Sequence, residues 1–128
     1  MFLTVDANDK RPIYQQVVDG VKALIAGGEL REGAALPSVR QLAGDLGVNL
    51  NTIAVAYRQL QDEGLLTVRH GSGAVVSSQR THAVEKDELR KPLRTALTQL
   101  ILAGLDHRDI TTLVRQELEL LLQKGGSR

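Results

Sequence analysis

Between Ser38 and Gly64 the chain carries start and stop signals for two short helices, with room for only a tight turn between them. Ser38 followed three residues later by Gln41 makes a capping box, in which the hydroxyl accepts from a free amide of the first turn. Val39, Leu42, Ala43 and Leu46 then recur at helical spacing as one apolar stripe. Gly47 suits a left-handed stop, a conformation that glycine adopts at little cost. Asn49 caps a second helix that runs to about Glu63, with Ile53, Ala56, Tyr57 and Leu60 facing inward and Gly64 ending it. Two helices joined by a tight glycine-containing turn form a helix-turn-helix.

The flanking segments narrow the fold further. Leu66–Arg69 and Ala74–Val76 are rich in β-formers and bracket His70-Gly71-Ser72-Gly73, the pattern of a hairpin. A helix-turn-helix followed by a hairpin is a winged helix. Upstream, residues 12–26 read as a helix with Pro12 at its first position, where a missing N–H costs nothing. Ile13, Val17, Val21, Leu24 and Ile25 share its inner face, and Gly27-Gly28 stops it. Gly20, inside that helix, costs about 1 kcal/mol relative to alanine and implies a close approach by another element. Residues 34–37 read as a short extended stretch.

Downstream, residues 77–83 are polar, with 79–83 read as the linker proper. A helix follows over 84–103, either starting at Pro92 or kinking there. Gly104 ends it, and Asp106 caps a last helix, with Asp109 near its positive end. The expected fold is mostly α with a small β-hairpin: a winged helix-turn-helix followed by a two-helix C-terminal dimerisation tail. The expected divisions are a DNA-binding head at 1–78, the linker, a dimerisation region at 84–124 and a frayed end at 125–128.

Composition excludes several chemistries. There is no cysteine, so disulfides, zinc–thiolate sites and thiol catalysis are ruled out. His70, His82 and His107 lie far apart in sequence, which gives no metal-binding pattern. Ser38 has no base partner in the motif, so it reads as a cap rather than a nucleophile. The only aromatics are Phe2, Tyr14 and Tyr57, so the core must be aliphatic. No apolar run approaches the roughly 18 residues of a membrane span, and no signal-peptide pattern opens the chain. A cytoplasmic protein without cofactor is expected. Residues 1–78 hold seven Lys/Arg against eight Asp/Glu, so any nucleic-acid surface must concentrate its positive charge on one face.

PIYQQ, LPSVR at 36–40, NTIAVAY at 51–57 and the G-x-G at 71–73 together resemble the GntR family of bacterial regulators. The Tyr14-containing start and short helical tail are similar to its YtrA-like branch. The resemblance implies a DNA-binding repressor that pairs as a homodimer on double-stranded DNA at a palindromic site, with no effector identified. By motif, Arg40 would meet phosphate or a base, and Ser38, the cap, is a candidate phosphate ligand beside it. Asn49, Asn51 and Thr52 would enter the major groove, and His70 and Gly71 would approach the minor groove or backbone.

The outward side of the second motif helix would add Leu50, Val55 and Arg58, and the wing Arg69. Asn can read adenine, and apolar side chains can contact the thymine methyl. The likeness departs at Leu50 and Val55, where relatives often carry Arg or Pro and a basic residue. Arg40 could instead pair with Asp45 on the surface. In the tail, Leu93, Leu97, Leu100, Ile101, Ile110, Leu113, Val114, Leu118 and Leu121 are expected at a dimer interface, because two helices alone have little to bury them against. A protein-interaction adaptor that no longer binds DNA strongly is the alternative. A pyridoxal-phosphate domain like that of the larger chimeric relatives is not expected in the roughly 50 residues after the wing.

Overall fold

The computed structural model describes residues 3–69, 73–77 and 86–123. Its elements run α1 (Ile13–Ala26), β1 (Ala35–Leu36), α2 (Val39–Leu46), α3 (Leu50–Asp62), β2 (Leu66–Arg69), β3 (Gly73–Val76), α4 (Lys86–Leu102) and α5 (His107–Gln123). The caps sit where the sequence puts them. Ser38 Oγ accepts from the Gln41 amide at 3.1 Å, and Asn49 Oδ1 accepts from the Asn51 amide at 2.7 Å. Gly47 takes φ +69°. Pro12 is one position further out than expected. Its ψ of 155° is extended, and its carbonyl accepts from the Gln15 and Gln16 amides, so it is the N-cap rather than the first helical residue.

The hairpin is one part of a three-stranded antiparallel sheet of order β1-β3-β2. Ala35 pairs with Val75 and Leu36 with Ala74, which joins the wing to the segment just before α2. Two residues are too few to show strand periodicity, so this pairing has no signature in the sequence. Gly73 makes the approach feasible: its φ is +86°, and a Cβ there would lie 2.7 Å from the Leu36 carbonyl oxygen.

The core is aliphatic except for Tyr57, and all its buried apolar residues lie within the head, between Val17 and Val76. Each fully buried Val, Leu or Ile contributes about 1.5–3 kcal/mol. Val17, Val18 and Val21 of α1 meet Ile53 and Leu60 of α3 in this cluster, and Leu66 and Val76 close the sheet side. Lys22 and Glu63 add an ion pair at 2.7 Å from α1 to the end of α3, and that bond holds the Glu63 carboxyl below its ordinary range.

Ahead of α1, residues 3–11 fold back over it. The buried Gln16 side chain accepts from the Asp6 amide at 2.7 Å and donates to the Asp6 and Arg11 carbonyls at 2.9 and 3.1 Å. Leu3 lies over Gly20, where a Cβ would come within 2.5 Å of its Cδ2. This is the close approach that the interior glycine implied.

The tail differs in kind from the head. α4 runs continuously through Pro92 and buries no residue. Pro92 neither starts the helix nor stops it; the Glu88 carbonyl that it cannot serve belongs to an exposed turn open to water. Asp106 and Asp109 cap α5 reciprocally, at 2.9 and 3.2 Å. The far end of α5 returns to the head and packs against α1. The tail is therefore not the separate two-helix unit that its sequence suggests. Among the described residues, no helix is long and apolar enough to cross a membrane. The expected linker at 79–83 and the expected frayed end at 125–128 lie outside the described residues.

Candidate nucleic-acid interface

α3 buries Ile53, Ala56, Tyr57 and Leu60. The 3.6-residue repeat therefore turns Asn51, Ala54, Val55 and Arg58 outward along one stripe. Leu50 and Val55, each 41% exposed, stand at opposite edges of that stripe. On one flank a groove of about 560 Å³ is lined by Ser38, Val39 and Arg40 of the α2 start, Leu50 and Tyr57 of α3, and Val68, Arg69 and Gly73 of the wing. On the other flank a hollow of about 320 Å³ is lined by Pro12, Ile13 and Tyr14 with Asn51, Thr52 and Val55.

The fold thus gathers Ser38, Arg40, Leu50 and Arg69 in one groove and Asn51, Thr52 and Val55 beside the other. Asn49 caps the helix between them, and Arg58 lies two turns beyond Asn51 on the outward stripe. His70 and Gly71 lie outside the described residues.

Val68 and Tyr14 also line these walls, beyond the residues that the motif suggests. Val68 sits two positions beyond the buried Leu66, on the same strand face, but the strand extends past the core and leaves Val68 40% exposed. Its alternation with Leu66 was the available signal. In the sequence Tyr14 is only part of the opening motif, but its place in the first turn of α1 brings it beside the α3 start.

Three connections fix the front of α2. The Ser38 cap is one and the β1–β3 pairing is another. The third is a hydrogen bond from the Tyr57 hydroxyl to the Pro37 carbonyl at 2.7 Å. Burial raises the Tyr57 phenol pKa above its ordinary value, so the group stays neutral and continues to donate.

The charge distribution resolves the near-neutral balance of the head. Arg11 pairs with Asp9 and Asp19, and Lys22 with Glu63, all away from the α3 stripe. Among the described residues Arg40, Arg58 and Arg69 make no salt bridge, and all three are exposed. In particular, Arg40 does not pair with Asp45.

A capped helix-turn-helix that presents the front of its second helix, with a wing beside it and unpaired arginines around it, defines a winged-helix DNA-binding protein. Residues 13–76 match the family described as bacterial regulatory proteins, gntR family, and the chain belongs to that family. The HTH-type transcriptional repressor YtrA of Bacillus subtilis is 31% identical over 100 residues, 78% of this chain and 76% of that protein, which places the chain in the YtrA-like branch. The transcriptional antiterminator from Listeria monocytogenes EGD-e superposes with a TM-score of 0.83 at 26% identity, covering 95% of this chain and 93% of that one. AraR(DBD) in complex with operator ORX1 superposes with a TM-score of 0.54 at 27% identity, over 60% of this chain and 99% of that one. The protein is a DNA-binding transcriptional regulator, not an enzyme.

Tyr57→Phe leaves the Pro37 carbonyl without its donor and should lower unfolding stability by about 1–2 kcal/mol in a denaturant titration. The folded phenol titrates above the unfolded one, whose ordinary value is 10.0. Its contribution is therefore complete below that pH and declines as the pH rises through the alkaline range. Wild type should lose stability more steeply than Tyr57→Phe above that point; parallel curves would show that the phenol is not held neutral.

Proposed function

We propose that the chain is a homodimeric repressor that reads a palindromic operator, with residues 1–78 binding DNA, 79–83 linking and 84–124 forming the dimer. The observation that carries the dimer is the tail's unburied apolar surface. α4 buries nothing, Ile101 and Leu118 are 60% and 51% exposed, and Leu93, Leu113, Val114 and Leu121 are exposed as well. Between α4 and α5 lies an apolar cleft of about 600 Å³ lined by Leu97, Ile101, Leu105, Ile110 and Val114 among others. Leu100 is half-buried on the same helix as Leu97.

A second copy of the chain is the proposed occupant, because a two-fold dimer matches the symmetry of paired half-sites about one DNA turn, ~34 Å, apart. The repressor sign is supported by the B. subtilis YtrA relative, which bears that description.

On DNA, the α3 front enters the major groove. Asn51 reads a base edge, with Asn49 and Thr52 alongside, while Arg58 and Arg69 meet phosphates, and His70 and Gly71 are assigned to the minor groove or backbone. Arg40 takes a phosphate beside the α2 N-terminus, where the Ser38 cap and free amides favour an anion. Leu50 and Val55 contact thymine methyls at two separate positions, one for each edge of the stripe.

Sedimentation of residues 1–78, which contain the whole core, tests the dimer. The fragment should be monomeric and bind the full site weakly; a dimeric fragment with full affinity would remove the tail from that role. Arg40→Ala should weaken binding across different sequences and reduce the salt slope by about 1. Unchanged affinity and slope would overturn the Arg40 assignment. Replacing thymine by uracil at each half-site position removes only the methyl. Affinity should fall at one or two positions, and the loss should vanish in Leu50→Ala or Val55→Ala; indifference at every position would show that neither side chain reads thymine.

A further inference from the structure

Gly27 ends α1 in a position where its backbone makes no demand for glycine. Its φ of −80° and ψ of −4° are ordinary right-handed values, open to alanine. The demand comes from elsewhere. A Cβ at position 27 would overlap the backbone carbonyl oxygen of Leu121, near the end of α5. A helix carbonyl cannot rotate aside like the tip of a side chain. Any larger residue must move α5 away by roughly an ångström to restore normal C···O contact. Gly27 is buried, so this backbone-to-backbone seat is a packed joint between the head and the tail.

We infer that Gly27 is a positioning residue that fixes the angle between head and tail, and thereby the separation of DNA half-sites that the protein accepts. The inference rests on the tail-mediated dimer proposed above. In that dimer the tails lie on the two-fold axis and each head carries a recognition helix. Whatever sets the head on its tail sets the distance between the two recognition helices. The covalent connection through residues 78–85 limits how far a head can travel, while the seat of α5 on α1 defines one orientation. Loosening it lets each head turn independently, so the two half-sites need no longer be a fixed distance apart.

The test uses Gly27→Ala in the full-length chain, with an operator first selected by wild type from a random DNA pool. That operator is then rebuilt with one to four base pairs added between its half-sites. Wild type should lose roughly a hundredfold or more in affinity when the spacing forbids simultaneous engagement, and Gly27→Ala should lose less than about tenfold. Sedimentation should show both proteins dimeric. Gly44→Ala, where a Cβ would meet nothing within 4 Å, should behave as wild type.

Within residues 1–78, which lack α5, Gly27→Ala should leave the melting temperature unchanged or raise it, since alanine restricts the unfolded chain. A lower melting temperature there would overturn the inference, because the glycine would then be serving the head itself. A dimeric Gly27→Ala protein with wild-type spacing preference would also overturn it while leaving the dimer intact. A monomeric wild type would overturn both readings together.

Discussion

The hydrogen bond from Tyr57 to the Pro37 carbonyl joins three parts of the head that the interface needs in register. Tyr57 belongs to α3, the second helix of the helix-turn-helix. Pro37 follows β1, which is paired to the wing, and precedes Ser38, which caps α2. A single buried phenol thus ties the recognition helix, the wing and the start of α2 to one point. The rest of the core is aliphatic and fixes separation more than direction, because apolar contact is non-directional. The hydroxyl supplies the direction. Gly73 complements it from the opposite side, since any side chain there would push the wing off the Leu36 carbonyl.

Much of the head was legible because its signals are local. Ser38, Gly47, Asn49 and Gly64 mark helix ends through hydrogen-bonding reach and φ alone, and both act within a few residues. The α3 stripe was legible for the same reason: once Ile53, Ala56, Tyr57 and Leu60 face inward, the outward positions follow. What escaped depends on partners distant in the chain. Ala35–Leu36 is a strand only because β3 lies beside it. Gln16 looks like a surface residue of α1, yet it is buried because the backbone of Asp6 and Arg11 folds over it and needs its amide. Gly27 read as a simple helix stop, although the structure gives it a second duty against α5.

The interface shows how a head with nearly balanced charge can still present a positive surface. Its acids are partly consumed in structural pairs, with Asp9 and Asp19 on Arg11 and Glu63 on Lys22. Among the described residues, Arg40, Arg58 and Arg69 around α3 are left without such partners. Unpaired cations within a Debye length of the phosphates count for binding, whereas cations already paired elsewhere add little. Leu50 and Val55 add exposed apolar surface at the edges of the α3 stripe.

The exposure of α4 carries a consequence for abundance. A helix with no buried residue has nothing in its own core to hold it, and short helices are marginal in water. With the tail paired as proposed, ordering of the helix and association of the subunits become one mass-action event. At low copy number the population would consist of single chains with intact heads and a loosely ordered α4, each meeting only half an operator. Above a threshold it would convert to paired molecules that grip both halves. The gene's own expression level would then act as an input to the switch.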